Sequence, residues 1–256
     1  MRSVLRSVLT HAFALALPPA CVICQSLLGS SGRLVCAACW ARVVPLPSPR
    51  CQRCDHPRAA GTVDACRWCR LLPPGIASVR SHCWVPEGAG GELVHQFKYQ
   101  GWPRLAEEMA RAMAPRRPPV GDAGPAVLVP VPLGRGRRRE RGYNQAESLA
   151  DALGVRWRLP VVADALHRIR DTRSQVPLTP DARSANVQGA FVATMAADVL
   201  RGTHLVLVDD VITTAATLTA SADALAAIGP LSISFVTFGR ARAAWDRRVI
   251  SGSSTL

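Results

Sequence analysis

Lysine is almost absent from this sequence: of 31 basic side chains, Lys98 is the single lysine and the rest are arginine. Aromatic residues make up 5% of the chain, and Tyr99 and Tyr143 are its two tyrosines. That leaves little for stacking on unpaired bases; within the arginine-rich stretch GRGRRRERGYN, Tyr143 stands alone in that capacity. No apolar run is long enough to span a bilayer. The run from Ala12 to Leu17, behind Arg2 and Arg6, imitates a short signal peptide. Its spacing fits better an amphipathic helix within residues 1–20, stopped by Pro18 and Pro19. Cysteine is missing after Cys83, so the later chain must fold without cross-links.

Eight of the nine cysteines fall into two C-x2-C-x11-C-x2-C frames offset by 30 residues. The first holds Cys21, Cys24, Cys36 and Cys39, the second Cys51, Cys54, Cys66 and Cys69. A C-x2-C pair turns both sulfurs toward one ion, and two such knuckles complete a tetrahedral site with no open position for chemistry. Zn(II) is the expected metal, as two structural ions, with disulfides or an iron–sulfur cluster as alternatives. Spacing leaves the pairing open between two sequential ribbons and a cross-brace; the equal inner loops favour the sequential form. Eight thiolates complete both sites, so His56 and His82 are expected to be ordinary histidines and Cys83 a buried apolar residue. Paired knuckles suit a reducing compartment, and the expected localisation is cytoplasmic.

The net charge of +13 favours anionic partners such as phosphates, nucleic acid or an anionic membrane surface. Its densest part is Arg135, Arg137, Arg138, Arg139 and Arg141, a run that also fits a plain solvated loop or helix face. From residue 92 the pattern alternates between helix and strand. ELVHQFKY reads as a short helix. PRLAEEMARAMA reads as another, with Pro103 at its first position and Leu105, Met109 and Met113 on one face. Residues 116–125 form a loop and AVLVPVPL a strand. NQAESLADALG is a helix ended by Gly154, HLVLVDD a buried strand, TLTASADALAAIG a helix ended by Gly229, and LSISFVTFG a further strand. Such alternation indicates an α/β fold with a largely parallel sheet.

In these sheets ligands bind at the carboxyl ends of strands, where loops lead into helix N-termini. The loop in VDDVITTAATL offers two carboxylates, Asp209 and Asp210, then hydroxyls at Thr213, Thr214 and Thr217 opening a helix. Amides at a helix start make a phosphate cradle, and adjacent acids suit the vicinal hydroxyls of a ribose.

LVLVDDVITTAATL resembles the PRPP-binding motif of type I phosphoribosyltransferases, with Ala215 standing where that family usually has glycine. If the position needs a positive φ, alanine costs about 1–2 kcal/mol; in ordinary helix-start geometry it costs almost nothing and only crowds the phosphate. LVPVPLGRGRRRERGYNQAESLA is similar to a segment of ComF-type competence proteins, as are HQFKYQG and RIRDTRSQVPLTPDARSANVQGAF, the last through Arg168, Thr172, Gln175, Leu178, Arg183, Asn186 and Phe191. That family also carries an N-terminal double zinc ribbon.

The resemblance implies a type I phosphoribosyltransferase-like α/β domain over residues 76–245, behind a small four-cysteine double zinc ribbon over residues 21–75 and before a tail at 246–256. It implies that Asp209 and Asp210 hold the ribose hydroxyls of PRPP, directly or through Mg(II), and that Thr213, Thr214, Thr217 and the amides of Ala215 and Ala216 grip its 5′-phosphate. Arg135, Arg141 and Lys98 would face the pyrophosphate, and Thr172, Gln175 and Arg183 would belong to a flexible loop over the site. The implied partners are PRPP and an unidentified acceptor. A second reading of the resemblance and the basic charge is a non-catalytic PRPP or nucleotide sensor contacting single-stranded DNA or DNA-uptake proteins. The ribbons are expected to be an accessory, so that zinc removal unfolds residues 21–70 and leaves the body able to bind.

Overall fold

The computed structural model describes residues 19–29, 32–59, 66–120, 124–170 and 189–242. The expected N-terminal helix, the tail at 246–256 and the loop with Thr172, Gln175 and Arg183 lie outside those residues. The body is a sheet of β2 (Ile76–Glu87), β7 (Ser232–Ala241), β6 (His204–Ile212) and β3 (Ala126–Pro130), mutually parallel in that order. The short β1 (Val43–Pro45) pairs antiparallel with β2 at one edge. A two-stranded antiparallel pair, β4 (Leu166–Arg168) and β5 (Phe191–Ala193), stands apart from it.

Parallel sheets are buried on both faces, and alternate residues serve opposite sides. Leu205, Leu207, Ile233 and Phe235 enter one core; Val206, Val208, Val236 and Phe238 enter the other. A short helix, α1 (Ala37–Ala41), precedes β1; the second core is covered by α2 (Gly88–Tyr99), α3 (Leu105–Met113) and α5 (Gln145–Trp157), the first by α6 (Ala216–Ala226) with β4 and β5. On α3 the expected apolar face is present: Leu105, Met109 and Met113 are fully buried, each contributing about 1.5–3 kcal/mol of transfer free energy.

Several boundaries differ from the sequence reading. The strand β2 was not anticipated, because IASVRSHCWVPE mixes serine, histidine and proline into its apolar positions. The helix α2 starts four residues before Glu92, at Gly88. Pro103 sits in a turn, with Leu105 N donating to Trp102 O, so α3 begins two residues later. Gly154 does not end α5, which runs to Trp157 and is capped by Arg158 at φ 55°. The glycine is there for close approach: a Cβ would lie 2.9 Å from Val161 Cγ2 and 3.0 Å from Leu159 O. The arginine run forms a short helix, α4 (Arg135–Arg141), closed by Gly142 at φ 77°, a conformation glycine adopts without strain.

The cysteine-rich segment shares both cores. Cys21, Val22, Val35 and Cys39 pack with α2 and α3, whereas Cys51, Cys54, Trp68 and Leu72 pack on the opposite face with β2, β6 and β7. Glu108 of α3, buried at 7% exposure, accepts hydrogen bonds from Leu34 N at 2.6 Å and Trp40 Nε1 at 3.0 Å. Trp40 meets Phe238 of β7 edge-on. On the other face Val79 N donates to Arg53 O, and Ser81 N to Asp55 Oδ2. Arg240 of β7, fully buried, lies over the Trp68 ring and donates to Cys54 O at 2.6 Å. Packing is therefore continuous across residue 75, and the ribbons are structural covers of the sheet.

Glu108→Ala leaves the Leu34 amide and the Trp40 indole without their acceptor. The expected loss is about 2 kcal/mol in urea-induced unfolding followed by tryptophan fluorescence, with a smaller loss for Glu108→Gln, which keeps one acceptor oxygen.

Candidate functional site

The thiols of Cys21, Cys24, Cys36 and Cys39 lie within 4.8 Å of one another, and so do those of Cys51, Cys54, Cys66 and Cys69. The frames are thus grouped sequentially. Sulfur separations of 3.6 Å for Cys24 and Cys36, 3.5 Å for Cys51 and Cys69, and 3.4 Å for Cys54 and Cys66 exceed a disulfide bond of about 2.0 Å. They approach the roughly 3.8 Å edge of a tetrahedron with Zn–S bonds of about 2.3 Å. The knuckle amides face the sulfurs: Cys36 N donates to Cys21 Sγ and Cys39 N to Cys36 Sγ, each at 3.4 Å. Both sets fit structural zinc.

The thiols of each set are unequal. The Ser26 hydroxyl beside Cys24 pulls its pKa down to about 6, whereas burial pushes Cys39 up to about 12. In the second set burial opposes ionisation of Cys51, yet the amides of Cys54 and Arg53 bring it down to about 7; burial raises Cys54, and raises Cys69 to about 11. A divalent cation ionises the reluctant thiols outright, so metal loading releases protons. Cys83, the cysteine left over, is fully buried and raised by burial to about 12, as expected for a structural thiol. His82 is stacked on Phe238 and pushed down to about 4 by burial.

The second centre of interest is the carboxyl end of β6. Asp209 is partly exposed and Asp210 buried; Asp210 N donates to Asp209 Oδ1 at 2.8 Å. Lys98 Nζ, from the last turn of α2, lies 2.9 Å from Asp210 Oδ1. Burial first, then the charge of Asp210, raises Asp209 to about 7, against the pull of Lys98. The neighbouring strand β3 ends beside this point, with Val131 N bonded to Val208 O, so the turn before α4 begins next to the acids. After Ile212 the chain enters α6 through Thr213, exposed, and Thr214, half-buried. Ala215 caps the helix at φ −62°, ψ 2°, so its side chain brings no backbone strain. The first bond into the helix is Thr219 N to Ala215 O at 2.7 Å; the amides before it lack an intrahelical acceptor. Ala216 and Thr217 occupy the first helical positions, half-buried.

The structure thus brings Lys98, Asp209 and Asp210 together and leads from them directly into the threonine turn. Arg135 is exposed at the start of α4. Arg141 is engaged elsewhere: its guanidinium lies 4.9 Å over the Tyr99 ring and donates to Gln145 Oε1 at 3.1 Å. Sequence reasoning missed what RGYNQ does. Tyr143 Oη donates to Phe97 O, and Gln145 Nε2 reaches the same carbonyl. Asn144 Oδ1 caps α5 by accepting from Ala146 N, while its Nδ2 donates to Val131 O at the end of β3. The segment ties the end of α2, and with it Lys98, to the strand ends. Tyr143 is therefore occupied; Tyr99, whose ring lies under Arg141, and Trp102 keep 54% and 40% exposure.

Comparison with known proteins agrees with this geometry. A family model described as a double zinc ribbon domain matches residues 12–70, and one described as a phosphoribosyl transferase domain matches residues 139–252. The chain is 30% identical over 227 residues to the DNA utilization protein YhgH of Salmonella typhimurium, covering 86% of this chain and 96% of that protein. It is 32% identical over 158 residues to Competence protein F of Haemophilus influenzae, covering 59% and 67% of the two chains. The chain belongs to the ComF family. Within that family Competence protein ComFC of Bacillus subtilis is 24% identical over 189 residues, covering 72% of this chain and 74% of that one. This ComF-family chain is a phosphoribosyltransferase-like α/β protein with two four-cysteine zinc-ribbon sites. Among the described residues no helix is long and apolar enough to cross a membrane.

Two measurements follow. Thiol-specific denaturation with a colorimetric chelator is expected to release two zinc ions per chain, four thiolates to each, from protein purified without chelators. The second concerns Asp209. Because its folded pKa lies near 7 and its usual value near 3.8, the folded state holds a proton that the unfolded chain has lost across that interval. Stability of the protein without bound ligand should therefore fall as pH rises from about 4 to 7. Asp209→Asn should flatten that part of the melting-temperature profile.

Proposed function

We propose that the chain binds PRPP at the carboxyl end of β6 and transfers its phosphoribosyl group to an acceptor, with release of pyrophosphate. The observation that carries this reading is the continuous path from two adjacent carboxylates, Asp209 and Asp210, into three hydroxyls and the free amides at the start of α6. The amides of Ala215 and Ala216 with the hydroxyls of Thr213, Thr214 and Thr217 would bind the 5′-phosphate, aided by the positive end of the helix. Asp209 and Asp210 would orient the ribose hydroxyls. In the transfer, the acceptor nucleophile forms a bond to the anomeric carbon as the bond to pyrophosphate oxygen breaks. Positioning and charge stabilisation dominate such a step. Arg135, exposed at the start of α4, would meet the departing pyrophosphate, while Arg141 holds the end of α2 through Tyr99. The two carboxylates fit Mg(II), an ion that takes most of its ligands from substrate oxygens and water; bound with PRPP it would neutralise pyrophosphate charge.

A non-catalytic role in DNA utilization or competence, as the names of the relatives suggest, has its own support. Tyr99, exposed and in contact with Arg141 of the arginine helix α4, and Trp102, exposed three residues further along the chain, combine aromatic surface with positive charge in a way suited to single-stranded DNA. One experiment separates the two readings: incubation with PRPP, Mg(II) and a pool of nucleobases, with pyrophosphate measured beside calorimetric titration of PRPP. Pyrophosphate released only with an acceptor supports the transferase. Binding without turnover supports the sensor, and absence of binding overturns both uses of the site. Thr214→Val should weaken PRPP about tenfold, the equivalent of one lost hydrogen bond to a charged group.

A further inference from the structure

We propose that Lys98 is the resident cation of the acid pair, holding divalent metal away from Asp210 until a ligand arrives. The sequence reading places Lys98 toward the pyrophosphate; without ligand its ammonium lies 2.9 Å from Asp210 Oδ1, with the two side chains 21% and 9% exposed. At that depth an unpaired carboxylate is costly, and a counter-ion must be supplied either by solvent or by the protein. Three features hold the lysine in this position. It sits in the last turn of α2, where the helix dipole favours a cation. The carbonyl of its neighbour Phe97 accepts from Tyr143 and Gln145, and the ring of its other neighbour Tyr99 lies under Arg141. Phe97 itself is fully buried, so the end of α2 is pinned on both sides of Lys98.

The choice of residue is part of the argument. In a chain whose other basic side chains are all arginine, this position carries the compact, strongly hydrated ammonium. A point charge with rotatable donors on a flexible stem can turn from a carboxylate to an incoming phosphate oxygen; a planar guanidinium in a bidentate grip is less easily turned. Lys98 then couples two events: a metal–ligand complex gains Asp210 as the ammonium leaves it, and the ammonium is left next to the ligand's negative charge. Bare metal gains neither, because it offers Lys98 no anion.

This inference concerns the site proposed above for PRPP, but its decisive test needs no PRPP. The zinc-loaded full chain is titrated with Mn(II), and free Mn(II) is followed by electron paramagnetic resonance. Wild type is expected to show no site tighter than millimolar at neutral pH. Lys98→Met and Lys98→Gln should each gain one site at least tenfold tighter, and the double variant Lys98→Met/Asp210→Asn should lose it. Circular dichroism and unchanged zinc content identify variants that remain folded. Equal Mn(II) binding by wild type and both single variants overturns the proposal, as does a new site that survives Asp210→Asn. A second titration, of PRPP with and without Mg(II), tells this apart from the functional reading. If no variant binds PRPP, that reading falls, while the Mn(II) result still decides the role of Lys98.

Discussion

A parallel sheet must be covered on both faces, and in this protein the cover comes from two unlike sources. Helices α2, α3 and α5 shield much of one face, and α6 with the β4–β5 pair shields much of the other. What remains on each face, toward β2 and β7, is sealed by one cysteine frame. Trp40 and Glu108 fasten the first frame; Trp68, Arg240 and Asp55 fasten the second. The metal sites therefore stabilise small covers whose own apolar content is too low to fold alone, and those covers complete the core of the larger domain.

The same logic orders the site. Asp209 and Asp210 lie in β6 just past its last residue paired with β3, and burial and the charge of Asp210 act on Asp209 before any ligand is present. Lys98 and the amide of Asp210 offset part of that cost. Lys98 is in turn held by a segment, Arg141 to Gln145, that spends its side chains on the end of α2 and the end of β3. Residues that look like ligand contacts in the sequence thus divide into those at the proposed site itself, Lys98, Asp209 and Asp210, and those such as Arg141 that hold neighbouring elements in place.

Much of this was legible from the sequence because periodicity and spacing carry it. The buried runs HLVLVDD and LSISFVTFG, the apolar face of α3 and the eight cysteines each encode their own geometry locally. What was missed depends on contacts far along the chain. The strand β2 carries serines that find partners only across the sheet, Ser78 on Ser234 and Ser81 on Thr237, so its polarity concealed it. Gly154 looked like a helix end because its reason for being glycine lies in the backbone of Leu159 and the side chain of Val161. Arg141 looked like an anion binder, since nothing local announces Tyr99 as its partner.

The strand order also constrains how the chain is made. β2, among the first strands in sequence, has β7, the last described strand, as its parallel neighbour. Trp84 of β2 lies opposite Arg240 of β7. During synthesis β2 therefore waits for nearly the whole chain, and the surface on which the second cysteine frame rests is incomplete until then. All eight thiols leave the ribosome before β7, so metal capture, which needs only the segment's own cysteines, can precede the platform on which the second frame comes to rest.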